Sequence, residues 1–161
     1  MKQLLTLALA SMISLSACSS AKKVQTEDNL VPTAANADEN VMGDSDSGKA
    51  MGLQTIHFGY DSYTLDDKNK DLLKANVQIL KDKASVKIQI EGHCDIRGGI
   101  QYNLALGEKR ANAVKKFIVD QGIQADRISV ISFGKEKLLD QGENEEAHAK
   151  NRRGTFVITA R

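Results

Sequence analysis

The chain has 161 residues, room for one modest domain with appendages but not for two full cores. Lys plus Arg number 22 against 21 Asp plus Glu, with no Trp, one Pro and 4% aromatic residues. That balance provides no electrostatic pull on nucleic acid, no base-stacking platform and no proline-rich recognition segment.

Residues 1–17 hold one base, Lys2, followed by an apolar run from Leu4 to Leu15 broken only by small polar residues. A dozen apolar residues is too short for a bilayer, which needs about 20, and suits the hydrophobic region of a secretory signal peptide. The run ends in Leu15-Ser16-Ala17-Cys18, which resembles the lipobox of bacterial lipoproteins. Cleavage before Cys18 and lipidation of its thiol are therefore expected. An ordinary signal peptide with an accidental cysteine, or a buried N-terminal helix, is the alternative. Several acyl chains anchor a protein stably where one holds it only marginally. Lipidation of Cys18 also leaves Cys94 without a partner for a disulfide. Ser19 follows the lipidated position, where such lipoproteins carry Asp for inner-membrane retention, so the outer membrane is the expected address.

From residue 19 to residue 53, Asn, Asp, Ser, Ala, Gly and Lys dominate and no apolar period is sustained. The expectation is a flexible tether over 18–53, with a contour of ~120 Å and a coil span of ~30–35 Å. Residues 43–50 read G-x-x-x-x-G-K-A, one residue from a phosphate-binding loop. The metal-binding hydroxyl is missing at Ala50, no strand precedes, and Asp44 and Asp46 repel phosphate.

Strand and helix signals then alternate through a predicted domain at 54–161. Residues 54–59 form a short strand candidate with Ile56 and Phe58 on one face. Residues 65–81 carry a helical stripe (Leu65, Leu72, Leu73, Val77, Leu80), with Thr64 and Asp67 placed as a capping box. Val86, Ile88 and Ile90 alternate with Lys87, Gln89 and Glu91, a strand with one wet face. Asn103 is placed to cap a second helix whose inner face is Leu106, Ala113, Val114, Phe117 and Ile118, ended by Gly122. A strand at 128–133, a short helix at 144–150 and a strand at 155–159 complete the chain. Alternation of this kind predicts an α/β two-layer sandwich, with a mixed sheet of about four strands and helices on one face.

Polar residues concentrate at element ends. Asp95 lies just past the second strand, where ligands of open α/β sheets sit. Arg110 lies two helical turns beyond Asn103 and on its face. A loop carboxylate and a helix guanidinium flanking one cleft match a zwitterion, with the ammonium to Asp95 and the carboxylate to a two-pronged Arg110. The bland alternatives are a turn aspartate satisfying backbone N–H groups and a solvated helix charge. A metal at His93-Cys94-Asp95 is disfavoured, because consecutive residues cannot converge on one ion and His57 and His148 stand apart. Cys94 reads as a small buried hydrophobe, not a nucleophile, and hydrolase signatures are missing.

The sequence G-H-C-D-x-R-G at 92–98 and Y-N-x-A-L-G-x-x-R-A-x-A-V at 102–114 resembles the peptidoglycan-associated lipoproteins within the OmpA-like C-terminal domain family. F-G-Y-D at 58–61, S-x-G-K-E-K at 132–137 and K-N-R-R at 150–153 extend the resemblance from about Thr55 to Ile158. It implies a βαβαβ-type domain that binds the meso-diaminopimelate of peptidoglycan stem peptides. Asp95 and Arg110 align with that family's ligand aspartate and arginine. Arg97, Tyr60, Asp61 and Leu106 match further pocket positions, His93 and Cys94 the loop wall, and Asn151 and Arg152 a segment near the cleft. A TolB-like periplasmic β-propeller is the implied protein partner, and neither enzymatic activity nor a cofactor or metal is implied. An OmpA-like anchor of another envelope machine, or a wall-modifying enzyme, is the competing reading. Ile96, Gly99-Ile100 and Leu138 depart from the family pattern, the first two within the binding loop.

Overall fold

The computed structural model describes residues 42–161. The expected signal peptide at 1–17, the lipidated Cys18 and the tether up to residue 41 lie outside the described residues.

The elements run β1 (Ile56–His57), α1 (Asp67–Asp82), β2 (Lys87–His93), α2 (Ile100–Asp120), β3 (Ile128–Gly134), α3 (Glu145–Asn151) and β4 (Arg153–Ala160), with a 3₁₀ turn at Ala125–Arg127 before β3. The sheet order is β1-β4-β2-β3. β2 and β3 are parallel and joined through α2, as a parallel pair requires, while β4 runs antiparallel to both β1 and β2. The predicted α/β sandwich with a mixed four-stranded sheet is the observed architecture.

Period-two alternation sorts the sheet into two faces. Ile88 and Ile90 of β2, Ile128 of β3 and Phe156 and Ile158 of β4 turn toward the helices. There they pack with Leu73, Val77 and Leu80 of α1 and with Ala111, Val114 and Ile118 of α2. Ala113 and Phe117, predicted to face inward, are only half-buried; the innermost positions of α2 include Gly107 and Arg110. Gly92 and Gly107 let α2 approach β2 until backbone meets backbone, so a Cβ on Gly92 would collide with the Gly107 carbonyl.

Two helix starts differ from expectation. α1 is capped by Asp66, whose Oδ1 accepts from Asn69 N at 2.7 Å, and not by Thr64 and Asp67. α2 begins one turn earlier than predicted, with Gly99 as its N-cap, which frees Asn103 for another task. The short helix, predicted from residue 144, begins at Glu145 with Asn144 as its cap, its side chain accepting from Ala147 N at 2.8 Å. Gly122, at φ +95°, ends α2 in the left-handed conformation that favours glycine. β1 is only two residues long, and just before it Asn76 engages the Gln54 backbone. The Asn76 amide accepts from Gln54 N at 2.8 Å and donates to Gln54 O at 2.8 Å.

Composition places the domain boundary too late. Residues 42–45 run beside β4, with Met42 N donating to Ile158 O, Ile158 N to Gly43 O and Ser45 N to Phe156 O, each at 2.9 Å. Ala50 and Leu53 are buried in the core. Asp46 clips this strap to the domain, accepting from Arg153 Nε at 2.8 Å, Thr155 Oγ1 at 2.8 Å and Thr55 Oγ1 at 2.7 Å. Residues 43–53 therefore belong to the folded unit and not to a tether. The polar side chains that make them look like linker are the ones that hold them down.

Candidate functional site

The site grows from the C-terminal end of β2. Cys94 N donates to Gly134 O at 2.7 Å, the last tie between β2 and β3, and the chain then leaves the sheet as a loop. Gly98, at φ +84°, reverses that loop into α2. The buried Asn103 amide pins it from inside, donating to Arg97 O at 2.7 Å and Gly99 O at 3.1 Å. Lys135 Nζ pins it from outside, donating to Gly98 O at 2.7 Å and Ile96 O at 3.3 Å. Asn103 is thus a loop staple and not a helix cap.

Arg110 enters the same place from α2 and is fully buried. Its Nε donates to Ser62 O at 2.8 Å, Nη1 to His93 O at 2.8 Å and to Cys94 Sγ at 3.4 Å, and Nη2 to Gly59 O at 3.0 Å. The guanidinium also lies 5.2 Å from the Phe58 ring centre. Four of its five N–H groups therefore serve the protein, which corrects the expectation of a two-pronged donor reserved for ligand. One Nη2 N–H and the charge remain. No carboxylate among the described residues lies within 4.0 Å of the guanidinium. Burial above all, with the nearby Arg152 charge, draws its pKa below the ordinary value against the opposing pull of Cys94 and Asp95.

Asp95, buried at the loop start, has the opposite condition. Its Oδ1 accepts from Arg97 N at 3.1 Å and Arg97 Nε at 3.2 Å, and its Oδ2 from Arg97 Nη2 at 2.6 Å and Arg152 Nη1 at 3.4 Å. Burial alone would raise its pKa, but the hydrogen bonds and charge of Arg97, with Arg152, outweigh it and hold the carboxyl below its usual range. Its contribution to stability is full above the ordinary carboxylate value and is lost as pH falls through that lowered pKa. Arg152 is fixed in turn by Phe58 O at 3.0 Å and Glu145 Oε1 at 2.7 Å.

Asp95 and Arg110 line one cavity of about 190 Å³, together with Arg97, Arg152, Tyr60, Asp61, Cys94 and Leu106. Eight of the sequence-predicted residues thus share a single cleft. Tyr102, Asn103 and Gly98 line it as well. Tyr102, whose hydroxyl donates to Asp61 Oδ1, was missed although it stands inside the Y-N-x-A-L-G motif. It carries no charge to attract notice, and its role depends on a chain segment 41 residues away.

Two predicted residues lie elsewhere. The His93 side chain shares the parity of Glu91 and so occupies the sheet face away from the helices. It stacks on Phe133 with centroids 5.6 Å apart, and Nε2 lies 3.3 Å from Glu91 Oε2. Only its backbone carbonyl serves the site. Asn151 is buried as a loop brace, its amide oxygen accepting from Leu139 N at 2.7 Å and its nitrogen donating to Asp140 O at 2.6 Å. Burial pushes the Cys94 thiol pKa up, so the group remains a protonated thiol, and its Sγ donates to Asn103 O at 3.3 Å. Among the described residues no group of three His, Cys, Asp or Glu side chains is arranged to hold a metal ion.

Known proteins match this chain in sequence and fold. The model of the OmpA family matches residues 57–152. A peptidoglycan-associated lipoprotein of Pasteurella multocida is 34% identical over 94% of this chain and 94% of its own length. One from Haemophilus influenzae is 33% identical over the same shares. The crystal structure of the peptidoglycan-associated lipoprotein from Burkholderia pseudomallei superposes with a TM-score of 0.65 at 36% identity, covering 70% of this chain and 96% of that one.

Proposed function

The chain belongs to the OmpA family, among the peptidoglycan-associated lipoproteins, and on that premise we propose that it is an envelope anchor whose folded domain holds peptidoglycan without a covalent bond. The ligand is the free end of meso-diaminopimelate in a stem peptide, where one ammonium and one carboxylate share a carbon. Asp95 receives the ammonium. The remaining N–H of Arg110 receives the carboxylate, and Tyr60, Tyr102 and Leu106 enclose the carbon chain.

The observation that carries this reading is Arg110 itself. A buried guanidinium that lines a cleft and has no carboxylate within 4.0 Å among the described residues is costly to leave without a close anion. An anion arriving in the cleft removes that cost. The competing enzymatic reading lacks an activated nucleophile, since burial raises the Cys94 thiol pKa and its hydrogen-bond partners are the Asn103 carbonyl and Arg110, neither of them a general base.

Lipidation at Cys18 would fix the other end, with Ser19 favouring the outer membrane, and the residues between would bridge the distance to the wall. No helix among the described residues is long and apolar enough to cross a membrane, so attachment falls to the lipid in this reading. A single cleft need not bind tightly, because many copies on one membrane act at high effective concentration. The family resemblance adds the Tol system as the setting and a TolB-like β-propeller as a competitor for the same face.

Sedimentation with isolated sacculi tests the ligand. Walls built with diaminopimelate are expected to retain the protein. Walls with lysine at that position keep the ammonium but lose the carboxylate, and are expected to release it. Equal retention on both would refute the reading.

A further inference from the structure

The Asp95 carboxylate is full. A carboxylate offers about four lone-pair sites, and here all four are engaged, three by Arg97 and one by Arg152. With Asp95 only 5% exposed, an arriving ammonium finds no vacant acceptor. Something must leave.

The candidates differ in how firmly they are held. Arg152 is buried and tied at two further points, to Phe58 O and to Glu145. The Arg97 backbone N–H belongs to a loop stapled by Asn103 and Lys135. The Arg97 guanidinium is held less firmly, by surface contacts alone besides Asp95. It is more than a third exposed and lies 4.2 Å from the centre of the Tyr60 ring, itself 65% exposed, at the cleft mouth. Its remaining charged contact is Glu145 Oε2, 3.6 Å from Nη1, on the outer side.

Resting on the diaminopimelate reading above, we infer that the Arg97 side chain is an internal stand-in for the ligand ammonium, seated on Asp95 in the empty cleft and displaced toward Glu145 when the ligand arrives. Binding is then an exchange of one cation for another on the same carboxylate. Two consequences follow from that exchange. Affinity is lower than the cleft could otherwise provide, because a 2.6 Å charge-assisted contact must break first. Discrimination is gained, because a ligand without a cation cannot repay the eviction and leaves a buried carboxylate under-paired. Arg97 is thereby a specificity-determining residue that acts by competing with the ligand.

Calorimetric titration of the protein with a soluble stem peptide ending in diaminopimelate, native or acetylated on its free amine, tests this. Arg97→Ala is expected to bind the native peptide five- to tenfold more tightly than wild type and the acetylated peptide within twofold of wild type. Arg97→Lys, which keeps a cation able to reach Asp95, is expected to restore wild-type affinity within twofold. Weaker native binding by Arg97→Ala would mean that Arg97 holds the ligand directly, and unchanged binding would mean that it is a bystander; either overturns the inference. If wild type fails to distinguish the two peptides, the diaminopimelate reading itself falls, whatever the variants do.

Discussion

Asp95→Asn is expected to lower retention on diaminopimelate-containing sacculi at least tenfold while the domain stays folded. The exchange keeps the shape of the side chain and removes only its charge. An interaction with a charged hydrogen-bonding partner contributes roughly 1.5–3 kcal/mol, and a factor of ten is about 1.4 kcal/mol, so the loss is measurable from this one contact. Stability changes less, because Arg152 keeps Glu145 and Phe58 O, and Arg97 can turn to solvent. Arg110→Lys is expected to fail on both counts. A lysine retains the charge but has one nitrogen where Arg110 bridges the carbonyls of Gly59, Ser62 and His93. Buried acceptors left without a donor cost about 1–3 kcal/mol each. Urea unfolding should therefore show a loss of roughly 3 kcal/mol for Arg110→Lys against about 1 kcal/mol for Asp95→Asn, at similar losses of sacculus binding. Undiminished retention of Asp95→Asn would remove the carboxylate from the account.

Gly92→Ala and Gly107→Ala carry the largest expected effect on the fold. In an isolated helix, alanine in place of Gly107 would stabilise by about 1 kcal/mol. Here the sign reverses. A Cβ at Gly107 would strike Ser132 Oγ and come within 2.8 Å of Gly92 O, while one at Gly92 would strike the Gly107 carbonyl. Backbone cannot swing aside as a side chain does, so α2 must retreat from β2. That opens the packing around Ala111 and Val114 and shifts Arg110 off its carbonyls. Overpacking in a tight core costs roughly 1–3 kcal/mol, and backbone against backbone belongs at or above the top of that range, so about 3 kcal/mol or more is expected for Gly92→Ala. Gly99→Ala, whose Cβ would meet nothing within 4 Å, is the control and should unfold at nearly the wild-type urea concentration. Near-neutral Gly92→Ala would show that the close approach does not matter.

Much of this architecture was legible because its signals are local. Ile88 and Ile90 alternating with Gln89 and Glu91 gave β2, the Leu72-Leu73-Val77-Leu80 stripe gave α1, and Gly122 marked a helix end by its own chemistry. What stayed hidden depends on distant partners. Residues 43–53 have the composition of a linker, yet Asp46 and Ser45 find Arg153, Thr155 and Phe156 more than 100 residues away. Asn103 has the identity and place of a cap, and only the extra turn at residues 100–102 turns its amide to the loop. Spacing alone left Asp95 and Arg110 open between a shared cleft and the bland readings, and the family resemblance tipped the balance, but neither told that each is already bonded by the protein. His93 could have been placed correctly, since it shares the parity of Glu91 on a strand whose other face was plainly the core.

The account turns on two charges of one amino-acid terminus being read at once. Titrating the protein with three stem peptides, one with both groups of the diaminopimelate end free, one amidated at the carboxylate and one acetylated at the amine, separates them. Each blocked peptide is expected to bind at least tenfold more weakly than the free one. Comparable affinity for all three would contradict the zwitterion reading outright.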